Sequence, residues 1–466
     1  MMKQIIRAVL AGLAIWSGFA PAQFWPATFV GVALLFSAIS DQPLFTRWYL
    51  SFATGLAFFL PLLHWSSTYV GAVPWLILGF GQALIFSIIA LPPIKRDLTG
   101  VFAFSAAFLL MEIIRMKFPF GGFGWGRVGF TQVEALTYLY PFIGIAGVGF
   151  LVAVLSAAIA MRPIFVLIAL PIFAINLFVP NETPDSNDEF RVIAVQGGVD
   201  DLGLDFNNRA MRVLQRHINA TPRNQSADLI IWPENSVDVD PATNSLAQNK
   251  LQKLLSELDV PLLAGVVEQS FLGPKNSSLL YNGSADVVAR YVKQDLAPFG
   301  EYIPLRKVAE SISPFAAQVR DFQAGDKWSA FDINGWSFQS FICFEILDDD
   351  HIRAGAENMN FLIAQTNNAT FGRSAQAAQQ LQITQARAAE LGKDFAVVST
   401  TGFTAQIDSR GQITERLPQF EPGALEMRIQ RQTEDSLTSQ IGSQTWVLIA
   451  GLVLLLSLRR SYRYNR

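Results

Sequence analysis

The chain has 466 residues, a formal net charge of −3, one cysteine, 51% hydrophobic residues and 16% charged ones. A near-neutral balance argues against nucleic acid held by a broad basic field, and a single cysteine excludes an internal disulfide. The apolar excess lies before Asn181 and after Thr445, so two different parts share the chain: a membrane-embedded one and a soluble one of ordinary polarity.

In chain order, apolar stretches run near 5–20, 25–40, 47–66, 71–93, 101–116, 139–160, 163–180 and 446–458, eight candidate spans. The first two and the last are short for a hydrocarbon layer of ~30 Å, which takes about 20 helical residues. The N-terminal stretch is read as a span and not as a cleaved signal, because further spans follow at once. Lys3, Arg7, Arg47, Lys95, Arg96, Arg162, Arg459, Arg460, Arg463 and Arg466 fall on alternate loops, which by the positive-inside rule places both termini in the cytoplasm. The segment 181–445 then faces outward, with Lys117 and Arg127 on an outside loop against the rule. The expected divisions are a membrane part of about seven helices at 1–180, a linker at 181–189, a catalytic domain at 190–440, a C-terminal span at 441–460 and a basic tail at 461–466.

The loop 117–130 spaces aromatic residues with glycines. An interfacial aromatic belt is the plainer reading. The functional one is a flexible lipid-contacting arm, with Trp125 at the substrate and Arg127 facing a phosphate head group.

Beyond Phe190, short β-rich runs alternate with amphipathic helices. Strands are expected at 191–196, 229–232, 261–267, 278–282, 287–292, 337–342, 361–365 and 395–400, and helices at 207–218, 245–258 and 374–391. That alternation predicts a layered α/β domain, whose reactive groups collect at the carboxyl ends of strands.

Residues of three chemistries occupy such ends. Glu234 follows Trp232-Pro233, where proline stops a strand and presents the carboxylate; near Trp232 its pKa rises and it can serve as a general base. A solvated loop charge is the alternative. Lys293 closes another strand, either as a snorkelling surface charge or as a fixed cation for a thiolate and an oxyanion, with Glu301 as partner. Cys343 sits where a strand turns toward a helix opening at 348–350, either as a buried core cysteine or as a nucleophile with the Phe344 amide beside it; Glu345 positions neighbours or starts the helix.

Glu234, Lys293 and Cys343 are spaced by 59 and 50 residues, each at a strand end. In that order the domain resembles the carbon–nitrogen hydrolase (nitrilase) superfamily, which implies a four-layer αββα fold. Joined to the spans, the chain resembles that superfamily's membrane-bound apolipoprotein N-acyltransferase family. The strings are Trp232-Pro233-Glu234, Lys293 with Pro298-Phe299-Gly300-Glu301, Cys343-Phe344-Glu345, Asn367-Asn368 with Phe371-Gly372, and Arg387 with Glu390.

The resemblance implies Glu234 as base, Lys293 as cation and Cys343 as nucleophile, supported by Glu301, Glu345 and Phe344. Trp232 and Asn367 join Trp125 and Arg127 as substrate contacts. Thr370 and Phe344 depart from the tryptophan and tyrosine common there, which bears on lipid preference more than on chemistry. The implied reaction moves a fatty acyl group from a membrane phospholipid through a cysteine thioester to the N-terminal diacylglyceryl-cysteine of an apolipoprotein, at a bacterial inner membrane and without a cofactor. Alternatives are a membrane-anchored amidase and a non-catalytic scaffold for another envelope enzyme, such as a polyprenol-phosphate sugar synthase. His64, His217 and His351 lack ligand-like spacing, so no metal is expected, and no interface pattern asks for more than a monomer.

Overall fold

The computed structural model describes all residues except 177, 179–187, 201, 205–209, 224, 259, 313, 318 and 465–466. The expected linker from 181 to 187, the start of the helix expected at 207 and the end of the basic tail lie outside the described residues. The chain forms two compact units, one of Met1–Glu182 with Ser436–Arg466 and one of Thr183–Asp435.

The first unit is helical: Met2–Ser17, Trp25–Ile39, Leu44–Leu62, Ala72–Phe86, Leu98–Lys117, Tyr140–Met161, Val166–Ile175 and Ser443–Tyr464 are its longer helices. Among the described residues, Ala72–Ala90, Leu98–Lys117 and Val133–Met161 are long and apolar enough to cross a membrane. Small residues let the helices touch. A Cβ on Gly12 would lie 2.3 Å from the Thr54 carbonyl oxygen, and the Thr54 hydroxyl donates to the Ala8 carbonyl at 3.0 Å, joining Met2–Ser17 to Leu44–Leu62.

Charges are enclosed in this unit. Arg115 donates to Gln82 Oε1 at 2.6 Å and to the Trp125 carbonyl at 3.0 Å, and its guanidinium lies 4.6 Å from the Phe59 ring centroid. Glu112 accepts from the Val128 amide at 2.8 Å. These bonds draw the loop after Lys117 into the helices. The expected flexible arm is therefore corrected: Trp125 and Arg127 are both 0% exposed, Arg127 packing against Met116 and Phe130 and not facing a head group. Only Phe118 and Phe120 of the loop's aromatics stand well exposed.

The second unit is built on two six-stranded sheets. The strands are β1 Glu189–Gln196, β2 Leu229–Ile231, β3 Leu262–Glu268, β4 Lys275–Tyr281, β5 Val287–Val292, β6 Phe331–Ile333, β7 Trp336–Ile342, β8 Phe361–Thr366, β9 Phe395–Ser399, β10 Ala405–Ile407, β11 Ile413–Arg416 and β12 Gly423–Gln430. Their orders are β12-β1-β2-β3-β4-β5 and β11-β10-β9-β8-β7-β6. In each sheet three central strands run parallel (β1, β2, β3 and β7, β8, β9) and the flanking ones antiparallel.

The inner faces pack on one another through Val192, Ile231 and Leu263 from one sheet and Phe338, Ile363 and Val398 from the other. Each such burial stabilises by about 1.5–3 kcal/mol. Helix Ser245–Glu257 covers the outer face of the first sheet with Leu251, Leu254 and Leu255, and Gln376–Leu391 is almost wholly buried, its neighbours including β9. The layers are thus αββα. The helix begun near 207 in the sequence reading is described as Arg212–Ala220, and β6, β10, β11 and β12 add to the strands expected.

Candidate active site

Each reactive group sits where a strand stops. Pro233 has no N–H to continue the ladder after β2, and Asn235 takes a left-handed backbone with φ +56°, so Glu234 turns inward. Lys293 is the first residue past β5, and Cys343 the first past β7, itself left-handed at φ +57°. A non-glycine residue held there is strained by its own Cβ and persists only where its surroundings fix it. Asn367 follows β8. Glu234 and Lys293 thus come from one sheet, Cys343 and Asn367 from the other.

The side chains meet in a buried polar core. Lys293 Nζ lies 2.7 Å from Glu301 Oε2 and 3.7 Å from Glu234 Oε1. Asn276, on β4, bridges the two carboxylates, donating to Glu234 at 2.7 Å and to Glu301 at 2.9 Å. The Asn367 amide donates to Glu234 Oε2 at 2.7 Å, and the Ala297 amide to Glu301 at 2.7 Å. The Cys343 sulfur receives Gln380 Nε2 at 3.9 Å. Gln380 belongs to a buried amide network with Asn368 and Gln376.

Burial pushes the Cys343 thiol well above its ordinary range, as does the Glu234 charge; Lys293 opposes them. The resting sulfur is therefore a thiol that needs a base. Burial likewise raises Glu234, against the pull of Lys293, which makes it a better proton acceptor than a solvated carboxylate. Burial alone would lower Lys293, but Glu301 and Glu234 hold it above its usual value, a fixed cation.

Glu345 is fully buried and binds backbone from both sheets. It accepts from the Ile342 amide at 2.7 Å before the cysteine, and from Gln294 at 2.8 Å and Asp295 at 3.3 Å after the lysine. Tyr291 Oη donates to it at 2.8 Å. Burial would raise this carboxyl, but the His351 imidazole holds it low.

Of the other expected residues, Phe344 is half-buried and meets Phe371 edge-on at 6.2 Å. Trp232 is wholly buried behind Glu234, its Nε1 donating to Thr221 Oγ1 at 3.0 Å, so it packs and does not line the site. Trp125 and Arg127 belong to the other unit. The sequence reading missed Asn276, Tyr291 and Gln380. Asn276 lies in the polar run Lys275-Asn276-Ser277-Ser278 that opens β4, ahead of the strand expected at 278, so nothing local singles it out; Gln380 had no signal beyond facing inward on its helix.

Residues 202–438 match the family model for carbon–nitrogen hydrolases, which is the class that this sheet pair and this cluster define. Residues 11–158 match the model of the apolipoprotein N-acyltransferase N-terminal domain. A protein of Mycolicibacterium smegmatis named apolipoprotein N-acyltransferase is 30% identical over 96% of this chain and 84% of its own length. One of the same name from Pseudomonas paraeruginosa is 28% identical, covering 97% and 95% respectively. The chain belongs to the apolipoprotein N-acyltransferase family, within the carbon–nitrogen hydrolases. Among solved structures, a CN-hydrolase superfamily protein from Xanthomonas campestris is similar at 17% identity over 52% of this chain and 91% of that one, with a TM-score of 0.38.

Proposed function

We infer that this chain is an enzyme, a membrane acyltransferase that N-acylates lipoproteins, as the names of its relatives have it. The observation that carries the reading is a buried thiol at the end of β7 whose electrostatic neighbours are one carboxylate free to take its proton and one lysine held charged.

Glu234 takes the proton of Cys343 as the sulfur attacks the carbonyl carbon of a phospholipid acyl ester. Lys293, with the amide of Phe344, stabilises the oxyanion; the C–O bond breaks and the lysophospholipid leaves with that proton. The acyl group stays on sulfur as a thioester. The α-amine of the acceptor's diacylglyceryl-cysteine then attacks, Glu234 accepts its proton, the C–S bond breaks and the thiolate recovers the proton. Glu301 pairs Lys293, leaving Glu234 available, and Glu345 positions the cysteine and lysine loops. No cofactor enters these steps.

Both substrates are lipids, which fits a chain with membrane-spanning helices. The eight-span arrangement rests on the apolar stretches, the cytoplasmic termini and outward catalytic unit on the lysines and arginines of the loops, and the bacterial inner membrane on the family. A scaffolding role toward a polyprenol-phosphate sugar synthase would be a separate function, tested by co-purification.

The deciding experiment is the intact mass of the full-length protein after incubation with a defined phospholipid. A hydroxylamine-sensitive acyl adduct is expected, absent from Cys343→Ala, and a diacylated lipopeptide should discharge it into a triacylated product. Discharge by water alone would favour an amidase-type hydrolase. No adduct and no lysophospholipid would sink the reading.

A further inference from the structure

His351 lies in the first turn of helix Asp349–Ala356, which follows the short helical turn Cys343–Leu347 that the nucleophile opens, and both of its ring nitrogens face carboxylates. Nε2 is 3.3 Å from Glu345 Oε1, and Nδ1 is 3.3 Å from Asp295 Oδ2. A neutral imidazole carries one N–H and can donate to only one of them; two carboxylate acceptors call for the imidazolium. The ring is enclosed by Trp328, 4.4 Å between centroids, and by Phe341 at 6.2 Å.

The charged and titratable groups that face it come from each neighbouring element. Tyr291 Oη on β5 is 3.5 Å from Nε2, Asp295 lies on the loop after Lys293, Glu345 on the turn after Cys343, and Asp348 at the start of its own helix. Burial disfavours its charge, but Glu345, Asp295 and Asp348 outweigh that and raise it above its ordinary value.

Its two partners belong to different parts of the machinery. Glu345 fixes the amide just before Cys343, and the same oxygen that meets His351 also holds the amides of Gln294 and Asp295, directly after Lys293. Asp295 is on that lysine loop. A cation between them closes the loop onto the turn.

We propose that His351, as an imidazolium, is a positioning residue that locks the lysine loop to the nucleophile turn and gives the acyl-transfer site an alkaline limit. The proposal deepens the function inferred above and rests on it for the roles of Lys293 and Cys343. The sign follows from the group: the lock is complete below the raised His351 value and opens as pH rises through it. The acid side of the profile belongs to Glu234, which must be ionised to act as a base.

The test measures two rates against pH on full-length protein in detergent with phospholipid: acyl-enzyme formation, and alkylation of Cys343 by iodoacetamide. The wild type is compared with His351→Gln, which keeps a donor of similar size, and with Asp295→Asn at a side chain 52% exposed, where folding is not at risk. Expected for acyl-enzyme formation is an alkaline fall in the wild type, absent in His351→Gln and moved to lower pH in Asp295→Asn, with the acid limb unchanged. Expected for alkylation is a profile displaced upward by about one pH unit in His351→Gln, since a loosened Lys293 stabilises the thiolate less.

An alkaline fall unchanged in both variants, or alkylation profiles that superimpose on the wild type, would overturn the proposal. If the wild type forms no acyl-enzyme at any pH, the functional reading fails, while the alkylation profiles still decide the lock. Should His351→Gln not fold, Asp295→Asn decides alone.

Discussion

Both units bury a carboxylate beside cations, and they do it with different chemistry. In the helical unit Glu112 keeps company with Arg115 and Arg127, whose planar forks reach a carbonyl, an amide oxygen and aromatic faces. In the α/β unit Glu234 and Glu301 share Lys293, a compact charge near a thiol, and several of these groups have displaced proton affinities. Arginine does not release its proton and satisfies many acceptors, so the first cluster holds structure together. Glutamate and cysteine titrate beside a lysine held charged, so the second can move protons.

The largest expected break in that contrast is Cys343→Ala, which should lower acyl transfer at least about 10⁴-fold, to background, with no acyl adduct by intact mass. Next is Glu234→Gln, expected to cost about 10²–10⁴-fold in acyl-enzyme formation by stopped assays. In the wild type the rate should be present at higher pH and lost as pH falls through the raised Glu234 value, so its acid limb lies above that of an exposed glutamate. A limb at the ordinary carboxylate position would remove Glu234 from the role of base.

The converse change falls in the helical unit. Arg115→Met leaves the Trp125 carbonyl and Gln82 without their donor and takes one of the two cations from beside Glu112; a stability loss of roughly 3–5 kcal/mol is expected in thermal denaturation in detergent. The kinetics of whatever remains folded should be unchanged. A kinetic defect with wild-type stability would erase the distinction between the clusters. The smallest effect is Trp232→Phe, which gives up the bond to Thr221 for about 1 kcal/mol. Its KM for phospholipid should stay at the wild-type value, because the ring faces away from the site.

The sequence carried much of the α/β layering because parallel strands such as Leu362-Ile363-Ala364 read as apolar runs bounded by polar turns. It carried β12 as well, although the sequence reading omitted it: Leu425, Met427 and Ile429 point inward between Glu426 and Arg428. Burial was harder to see. Glycines around Trp125 suggest a mobile surface loop, yet hydrogen bonds from Arg115 and to Glu112 fold that loop inside. Glu345 and His351 could be listed but not understood, since their partners lie about fifty residues earlier on the other sheet, and no local period encodes a bond between sheets.

The pairing of β1 with β12 places Glu189 opposite Gln430 and Gln196 opposite Gly423. The chain therefore enters and leaves the α/β unit at adjoining backbone positions, and the unit closes on itself like a cassette. Neighbouring ends are the geometry that lets a domain be spliced into a loop of another protein without stretching either. A catalytic body of this form asks little of its host beyond two attachment points, and here an apolar helix stands in the chain on either side of it, Val166–Ile175 before and Ser443–Tyr464 after.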